Sequence, residues 1–149
     1  MKQANCYAEI QEFDCAIETF SKAILLNPNY TVAYFNRGVA YQSKGEVNRA
    51  IEDYDTAIEL NSDYADAYYN RGVIYSHKDE PDRAIEDYTK VIQLNPDYTN
   101  AYYNRSLVYN YKGDLDRALN DLNRAIQLNP NDHKFLEIRD NIQQMLQKN

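Results

Sequence analysis

The chain repeats its own sequence every 34 residues, and this period constrains the fold more than any other feature. The text AYFNRGVAY at residues 33–41 returns as AYYNRGVIY at residues 67–75 and as AYYNRSLVY at residues 101–109. Single positions keep the same spacing, among them Asn27, Asn61, Asn95 and Asn129. A fixed period of this kind is typical of chains that stack one supersecondary unit on the next.

Each period contains two helical patterns. In the second copy Tyr34, Gly38 and Tyr41 share one helix face, and residues 50–58 carry a second apolar face. Small residues recur where the two helices must approach closely, as in the pairs Gly38 with Ala50, Gly72 with Ala84, and Ser106 with Ala118. The residues suited to the turn between the helices are Gly45, Gly113 and Pro81.

Aromatic, small and proline residues recur at equivalent positions of the 34-residue copies, and each set of equivalent positions is called a column here. These columns resemble the tetratricopeptide repeat family, and the resemblance covers essentially the whole chain. In the third copy the matching positions are Tyr68, Gly72, Tyr75, Ala84, Tyr88, Val91 and Pro96. The resemblance implies an all-α fold, a right-handed α-solenoid of tandem helix-turn-helix repeats with a C-terminal capping helix. It also implies a non-enzymatic scaffold for protein–protein interaction.

We predict one tetratricopeptide domain over residues 1–149. Its parts are an N-terminally truncated repeat 1 at residues 1–30, repeat 2 at 31–64, repeat 3 at 65–98, repeat 4 at 99–132 and a capping helix at 133–149. In the capping helix Leu136, Ile142 and Leu146 are predicted to face the core. The truncated first helix is expected to leave apolar surface around Tyr7 and Phe20.

Charge and motifs exclude several classes of function. A net charge of −7 repels phosphate and anionic lipid, so we predict no nucleic acid partner and no membrane partner. No apolar run approaches the length of a spanning helix, and residues 1–14 lack a signal-peptide pattern, so we expect a cytoplasmic protein. His77 and His133 lack neighbours in ligand spacing. We predict no catalytic residues, no metal and no cofactor.

The arginine of the repeated text, NRG in two copies and NRS in the third, is unusual on a packed helix. An acid stands sixteen residues after each one, which gives the pairs Arg37 with Asp53, Arg71 with Asp87, and Arg105 with Asp121. We hypothesise that these pairs join the two helices of each repeat. The alternative is that the acids pair locally with the arginines four residues before them, which are Arg49, Arg83 and Arg117.

The asparagines of the same text point to function. Asn36, Asn70 and Asn104 lie off the packed face, and stacking is expected to place them in a row on the concave side. An asparagine both donates and accepts hydrogen bonds, so such a row suits the backbone of an extended peptide. The remaining predicted groove residues are Phe35, Tyr69, Tyr103, Val39, Val73 and Leu107. The alternative is that asparagine is merely a tolerated polar helix residue.

Two further functions compete with peptide binding in this groove. One is self-assembly through the truncated N-terminal repeat, although a monomer is the preferred state. The other is a role as the substrate-recruiting arm of a larger enzyme, since the asparagine column is similar to that of the tetratricopeptide arm of O-linked N-acetylglucosamine transferase.

Some tetratricopeptide domains hold acidic chaperone tails with a two-carboxylate clamp, and this chain does not fit that pattern. Asn5 and Asn36 match the clamp, but Met1, Asp66 and Asn70 occupy its basic positions. Without cations at those positions there is nothing to pair with a terminal carboxylate.

Overall fold

The computed structural model describes the backbone of residues 2–148 and the side chains of residues 11–147. That part of the chain contains no strand and these helices: α1 (Lys2–Leu26), α2 (Thr31–Ser43), α3 (Val47–Leu60), α4 (Ala65–His77), α5 (Pro81–Leu94), α6 (Thr99–Tyr111), α7 (Leu115–Leu128) and α8 (His133–Lys148). Two compact units meet between Arg71 and Gly72, within α4. The side chains of Met1, Asn5 and Tyr7 lie outside the described part.

Left-handed residues form the turns inside the helix pairs. Gly45 joins α2 to α3 with φ 79°, and Gly113 joins α6 to α7 with φ 78°. Glycine adopts this conformation without steric cost, so the prediction of these two turns is confirmed. Asp79 occupies the same place before α5 with φ 58°, which aspartate tolerates better than most residues. Helix α5 then begins at Pro81, as predicted.

The periodic asparagines form turns between consecutive repeats. In each case the side-chain oxygen accepts a hydrogen bond from the backbone two residues later, an arrangement in which asparagine stabilises its own turn. The bonds run from the Asn29 amide to Asn27 at 3.2 Å, from Asp63 to Asn61 at 3.1 Å, and from Asp97 to Asn95 at 3.1 Å. Because Asn61 forms this turn, α3 still ends at Leu60 although Ser62 stands where the other copies have proline.

The first helix differs from the expected helix pair. α1 is a single helix of 25 residues, whereas each later copy has a turn at the position that corresponds to residue 11. Position 11 carries Gln in the column that holds Gly45, Asp79 and Gly113. Glutamine is a good helix former and disfavours positive φ, so the helix continues through this position. The residue ranges given above for the repeats stay predictions.

Glycine is required where the paired helices touch. A Cβ at Gly38 would lie 2.8 Å from Cε1 of Tyr54 and 3.3 Å from the Ala50 carbonyl oxygen, so the predicted contact between Gly38 and Ala50 is present. Core residues around this contact in the first unit are Ala33, Ala40, Tyr41, Ala50, Tyr54 and Ala57. The Tyr54 ring therefore leaves space only for a glycine at position 38.

The second unit repeats this packing and then alters it. A Cβ at Gly72 would lie 3.0 Å from Cε1 of Tyr88. In the next copy Ser106 replaces the glycine and is fully buried, and Leu122 replaces the tyrosine. Leucine lacks the ring edge that excludes a side chain at Gly72, so the two replacements fit each other.

Helix α8 closes the core of the second unit. Phe135 is 4% exposed and Ile142 is 1% exposed, and both pack with Tyr109, Leu115, Ala118, Leu122 and Ala125. The inward position of Ile142 is confirmed. Leu136 is only partly buried and Leu146 is 36% exposed, so the prediction that Leu146 faces the core is wrong. Phe135 stands in the column of Ala101, and its larger ring fills the place where a shorter side chain packs in the repeats.

Two of the three predicted arginine–aspartate pairs are observed, one in each unit, and the pair of Arg71 with Asp87 stays a prediction. Arg37 donates from Nε to Asp53 Oδ2 at 2.8 Å and from Nη2 to Oδ1 at 2.7 Å. Arg105 makes the same two bonds to Asp121, both at 2.7 Å. This fork geometry is the strongest arrangement of the two groups. Asp53 and Asp121 are 5% and 7% exposed, so each arginine neutralises a buried carboxylate.

Each of these arginines also contacts the helix before its own. Arg37 Nη1 donates to Ser21 Oγ at 3.0 Å, Arg105 Nη1 donates to Thr89 Oγ1 at 2.8 Å, and Arg71 Nη1 donates to Asp55 Oδ1 at 2.5 Å. The sequence hypothesis did not include these bonds. A single guanidinium thus joins the helices of its own repeat and the preceding repeat.

The alternative local pairing is not observed for Asp53 and Asp121. Arg49 pairs with Glu46 at 2.7 Å, and Arg83 pairs with Glu80 at 2.8 Å. Arg117 pairs in the same way with Asp114. These arginines also cover tyrosine rings, with Arg49 4.1 Å from the centre of the Tyr41 ring. Asp53 and Asp121 are thus left to Arg37 and Arg105.

Candidate functional site

The predicted groove residues are all partly buried. Asn36, Asn70, Phe35, Tyr69 and Val39 belong to the first unit, and Asn104, Tyr103, Val73 and Leu107 belong to the second. They lie on α2, α4 and α6, the first helices of the predicted repeats 2 to 4. Partial burial leaves part of each side chain accessible to a ligand.

Asn70 takes part in a hydrogen-bonded chain in the first unit. Tyr54 donates from its hydroxyl to Gln42 Oε1 at 2.7 Å, and Asn70 hydrogen-bonds to the same hydroxyl. Burial raises the pKa of Tyr54, and the bond from Asn70 opposes that shift. One amide proton of Asn70 is therefore used by the fold, while its carbonyl oxygen and second proton keep bonding capacity.

Two of the predicted groove rings pack within the fold. The Phe35 ring meets Tyr64 edge to face, with ring centres 5.0 Å apart. The Tyr103 ring lies 4.7 Å from the ring of Phe135 on α8. Phe35 thus packs on the turn before α4 and Tyr103 packs on α8, which are structural roles that the sequence did not distinguish from ligand contact.

A cavity of about 310 Å³ lies in the second unit and brings together Val73, Asn104 and Leu107. Helices α4 and α6 supply two walls, and α5 contributes Tyr88 and Pro81. Tyr88 is 1% exposed, so its ring forms a rigid boundary rather than a mobile one. The remaining lining residues are Ser76, His77, Asp79, Val108 and Tyr111.

The rim of this cavity is polar. Tyr111 is 71% exposed and donates from its hydroxyl to Asp79 Oδ1 at 2.8 Å. This hydrogen bond raises the pKa of Tyr111. His77 lies on the same rim and is exposed.

Helical spacing in the sequence indicates three of the cavity-lining residues that were not predicted. Ser76 and His77 follow Val73 by three and four positions, and Tyr111 follows Leu107 by four. Residues at this spacing share a helix face. Extending the predicted groove face by one turn therefore finds three of the missing residues, whereas Asp79 and Pro81 lie in the turn and at the start of α5.

Within the described residues there is no group of three or more His, Cys, Asp or Glu side chains that suits a metal ion. A search of the same residues finds no helix long and apolar enough to span a membrane.

Comparison with known proteins assigns the family. The family model described as Tetratricopeptide repeat matches residues 65–98 and 99–132, and the model described as TPR repeat matches residues 4–45 and 40–79. A crystal structure of MamA is 34% identical with a TM-score of 0.77, over 90% of this chain and 78% of that chain. This chain belongs to the tetratricopeptide repeat family. The predicted all-α repeat fold is confirmed.

Less similar tetratricopeptide structures share the fold. The first TPR of Spaghetti (RPAP3), solved with the HSP90 peptide SRMEEVD, is 24% identical with a TM-score of 0.75, over 78% of this chain and 92% of that one. The Arabidopsis OM64 TPR domain is 22% identical with a TM-score of 0.73, over 76% and 94%. The comparison with curated proteins gave no match. Tetratricopeptide proteins of this kind are typically non-enzymatic scaffolds for protein–protein interaction.

Proposed function

We propose that this tetratricopeptide protein binds an extended or helical peptide segment of a partner protein through its asparagines and apolar side chains. The observation that carries the proposal is the cavity in the second unit, where Val73, Asn104 and Leu107 lie together. Amide groups beside an apolar recess suit a peptide, because they hold its backbone while the recess takes a side chain.

The ligand is not an acidic chaperone tail. A relative was solved with such a peptide, but a carboxylate clamp needs cations, and the corresponding positions here include the exposed Asp66 and the partly buried Asn70. A carboxylate at a clamp position repels an acidic tail. The protein is therefore proposed to select a different class of peptide, with no nucleic acid, membrane or cofactor involved.

Alanine variants test the proposed groove. Asn70→Ala with Asn104→Ala is expected to abolish capture of partners from a random peptide display library, because both variants remove backbone contacts of the ligand. The matched control is Asn120→Ala with Asn123→Ala, at exposed positions of α7. Helicity measured by circular dichroism should be the same in both. Capture that survives in the groove variant contradicts the proposal.

Self-association is a second candidate, supported by exposed apolar residues near the end of α1. Leu25 is 82% exposed and Leu26 is 89% exposed. Tyr30 and Val32, which follow in the sequence, are 45% and 43% exposed. The corresponding position to Leu25 is polar in each later copy, at Glu59, Gln93 and Gln127. Clustered apolar residues of this kind mark interaction surfaces. A role as the recruiting arm of a larger enzyme and a cytoplasmic location stay predictions.

A further inference from the structure

The carboxylate of Asp79, which lines the cavity in the second unit, differs from the acids that follow it in the sequence. Its contact among the described side chains is the uncharged Tyr111 hydroxyl, which bonds to Oδ1 at 2.8 Å. No lysine or arginine of that part of the chain pairs with it. Lys78 is adjacent in sequence and contacts Glu80 at 3.7 Å. The charge of Asp79 is thus uncompensated.

Nearby carboxylates are neutralised by cations. Glu80 pairs with Arg83 at 2.8 Å, and Asp82 pairs with Lys112. Both of these acids lie within three residues of Asp79. This segment therefore has enough cations to pair its acids, and Asp79 lacks a cationic partner because of its position at the cavity rim.

The cavity has room for one large apolar side chain. Its volume is about 310 Å³, while an engineered apolar cavity of about 150 Å³ holds benzene. Val73, Leu107 and Val108 supply aliphatic walls, and Tyr88 supplies a ring. A leucine, methionine or phenylalanine side chain that enters here exchanges water for apolar contacts.

We propose that the cavity selects a partner peptide in which a bulky apolar residue stands next to a lysine or arginine. The apolar side chain occupies the cavity, and the cation pairs with Oδ2 of Asp79 while Tyr111 holds Oδ1. This inference rests on the proposed peptide-binding function and names the class of peptide. The net charge of −7 also favours the approach of a basic partner.

A display library of random ten-residue peptides tests the inference with the full chain. The wild type is expected to enrich peptides with Leu, Met or Phe beside Lys or Arg. Asp79→Asn should lose the basic preference and keep the apolar one, since asparagine tolerates the same φ. Asp82→Asn is the matched control, because it also removes one exposed charge, and it should keep both preferences.

A selected peptide then gives a double-mutant cycle by fluorescence polarisation. Replacing its cation with glutamine should weaken binding to the wild type roughly two- to fivefold, the range of an exposed ion pair. The same replacement should have no effect on binding to Asp79→Asn. Replacing the apolar residue with alanine should weaken binding to both proteins at least about tenfold.

The outcomes separate this inference from the function on which it rests. Enriched peptides with no basic preference, or a cation effect that persists in Asp79→Asn, overturn the inference and leave peptide binding in place. Enrichment of acidic peptides overturns it as well. A wild type that enriches no peptide overturns both the inference and the proposed function.

Discussion

The buried pair of Arg37 and Asp53 and the surface pair of Arg49 and Glu46 give a matched comparison at the residue scale. The Arg37 and Asp53 side chains are 20% and 7% exposed, against 58% and 31% for Arg49 and Glu46. Asp53→Ala leaves a buried guanidinium without its carboxylate and is expected to lower the free energy of unfolding by about 3 kcal/mol. Urea denaturation measures the loss.

Glu46→Ala serves as the control for that experiment, because the exposed pair is screened by solvent. It should cost far less stability than Asp53→Ala. Equal losses from the two variants would mean that the buried pair does not join the helices. Arg37→Met with Asp53→Leu should recover most of the stability, since no buried charge is then left alone.

Asn110 carries a polar atom without a partner. Its Oδ1 is buried and accepts no hydrogen bond from the described residues. In the second copy Gln42 stands in this column and accepts from Tyr54, but Leu122 has replaced the tyrosine here. The orphan oxygen follows from the same replacement that admits a serine beside Leu122.

Asn110→Leu is expected to raise the free energy of unfolding by about 1 to 2 kcal/mol, because it removes an unsatisfied buried acceptor. Gln42→Leu should have the opposite effect, since it leaves the Tyr54 hydroxyl without its acceptor. Thermal denaturation of both variants tests whether the first is more stable and the second less stable than the wild type. A destabilised Asn110→Leu would show that the carbonyl oxygen has a partner in solution.

At the scale of elements, the approach of α4 to α5 depends on Gly72. Gly72→Ala places a Cβ 3.0 Å from Cε1 of Tyr88 and 3.2 Å from Cβ of Asp87. Both neighbours are buried, so we expect a loss of about 1 to 3 kcal/mol in stability, measured by urea denaturation. Ser106→Ala in α6 should cost about 1 kcal/mol or less, because that site already accepts a Cβ. Similar losses at both sites would contradict the proposed steric role of Tyr88.

Helix pairs were predictable from the sequence because the period, the glycines and Pro81 all indicate the same turns. The unbroken α1 was not predicted, since the period suggests a turn that Gln11 does not favour. The buried position of Phe135 was also missed, although Phe135 stands in the column of the buried Ala101 and α8 therefore keeps the register of the repeats.

The candidate site was predictable only in part for a similar reason. Spacing placed Val73, Asn104 and Leu107 on neighbouring helices, and the structure brings them to one cavity. Spacing does not record that Phe35 packs on Tyr64 or that Asn70 bonds to Tyr54, because those contacts depend on side-chain directions across helices. A periodic column thus identifies a surface, and packing decides which of its members remain available.

At the scale of the whole molecule, the exposed leucines of α1 determine the expected state in solution. If they associate, the wild type should gain mass with concentration in light scattering, and Leu25→Gln with Leu26→Gln should remain a monomer. Leu146→Gln is the control, since Leu146 is exposed at the other end of the described chain. A wild type that is monomeric at every concentration rules out self-association.

The contacts of the NRG arginines bear on how such a gene changes in length. Arg37 and Arg105 find their partners sixteen positions ahead and sixteen positions behind, so the bonds are defined by offset and not by absolute position. A duplication or deletion of one 34-residue copy creates a junction at which each of these arginines again has an aspartate sixteen positions ahead and a hydroxyl or carboxylate side chain sixteen positions behind. Recombination within this gene should therefore yield shorter and longer proteins that still fold.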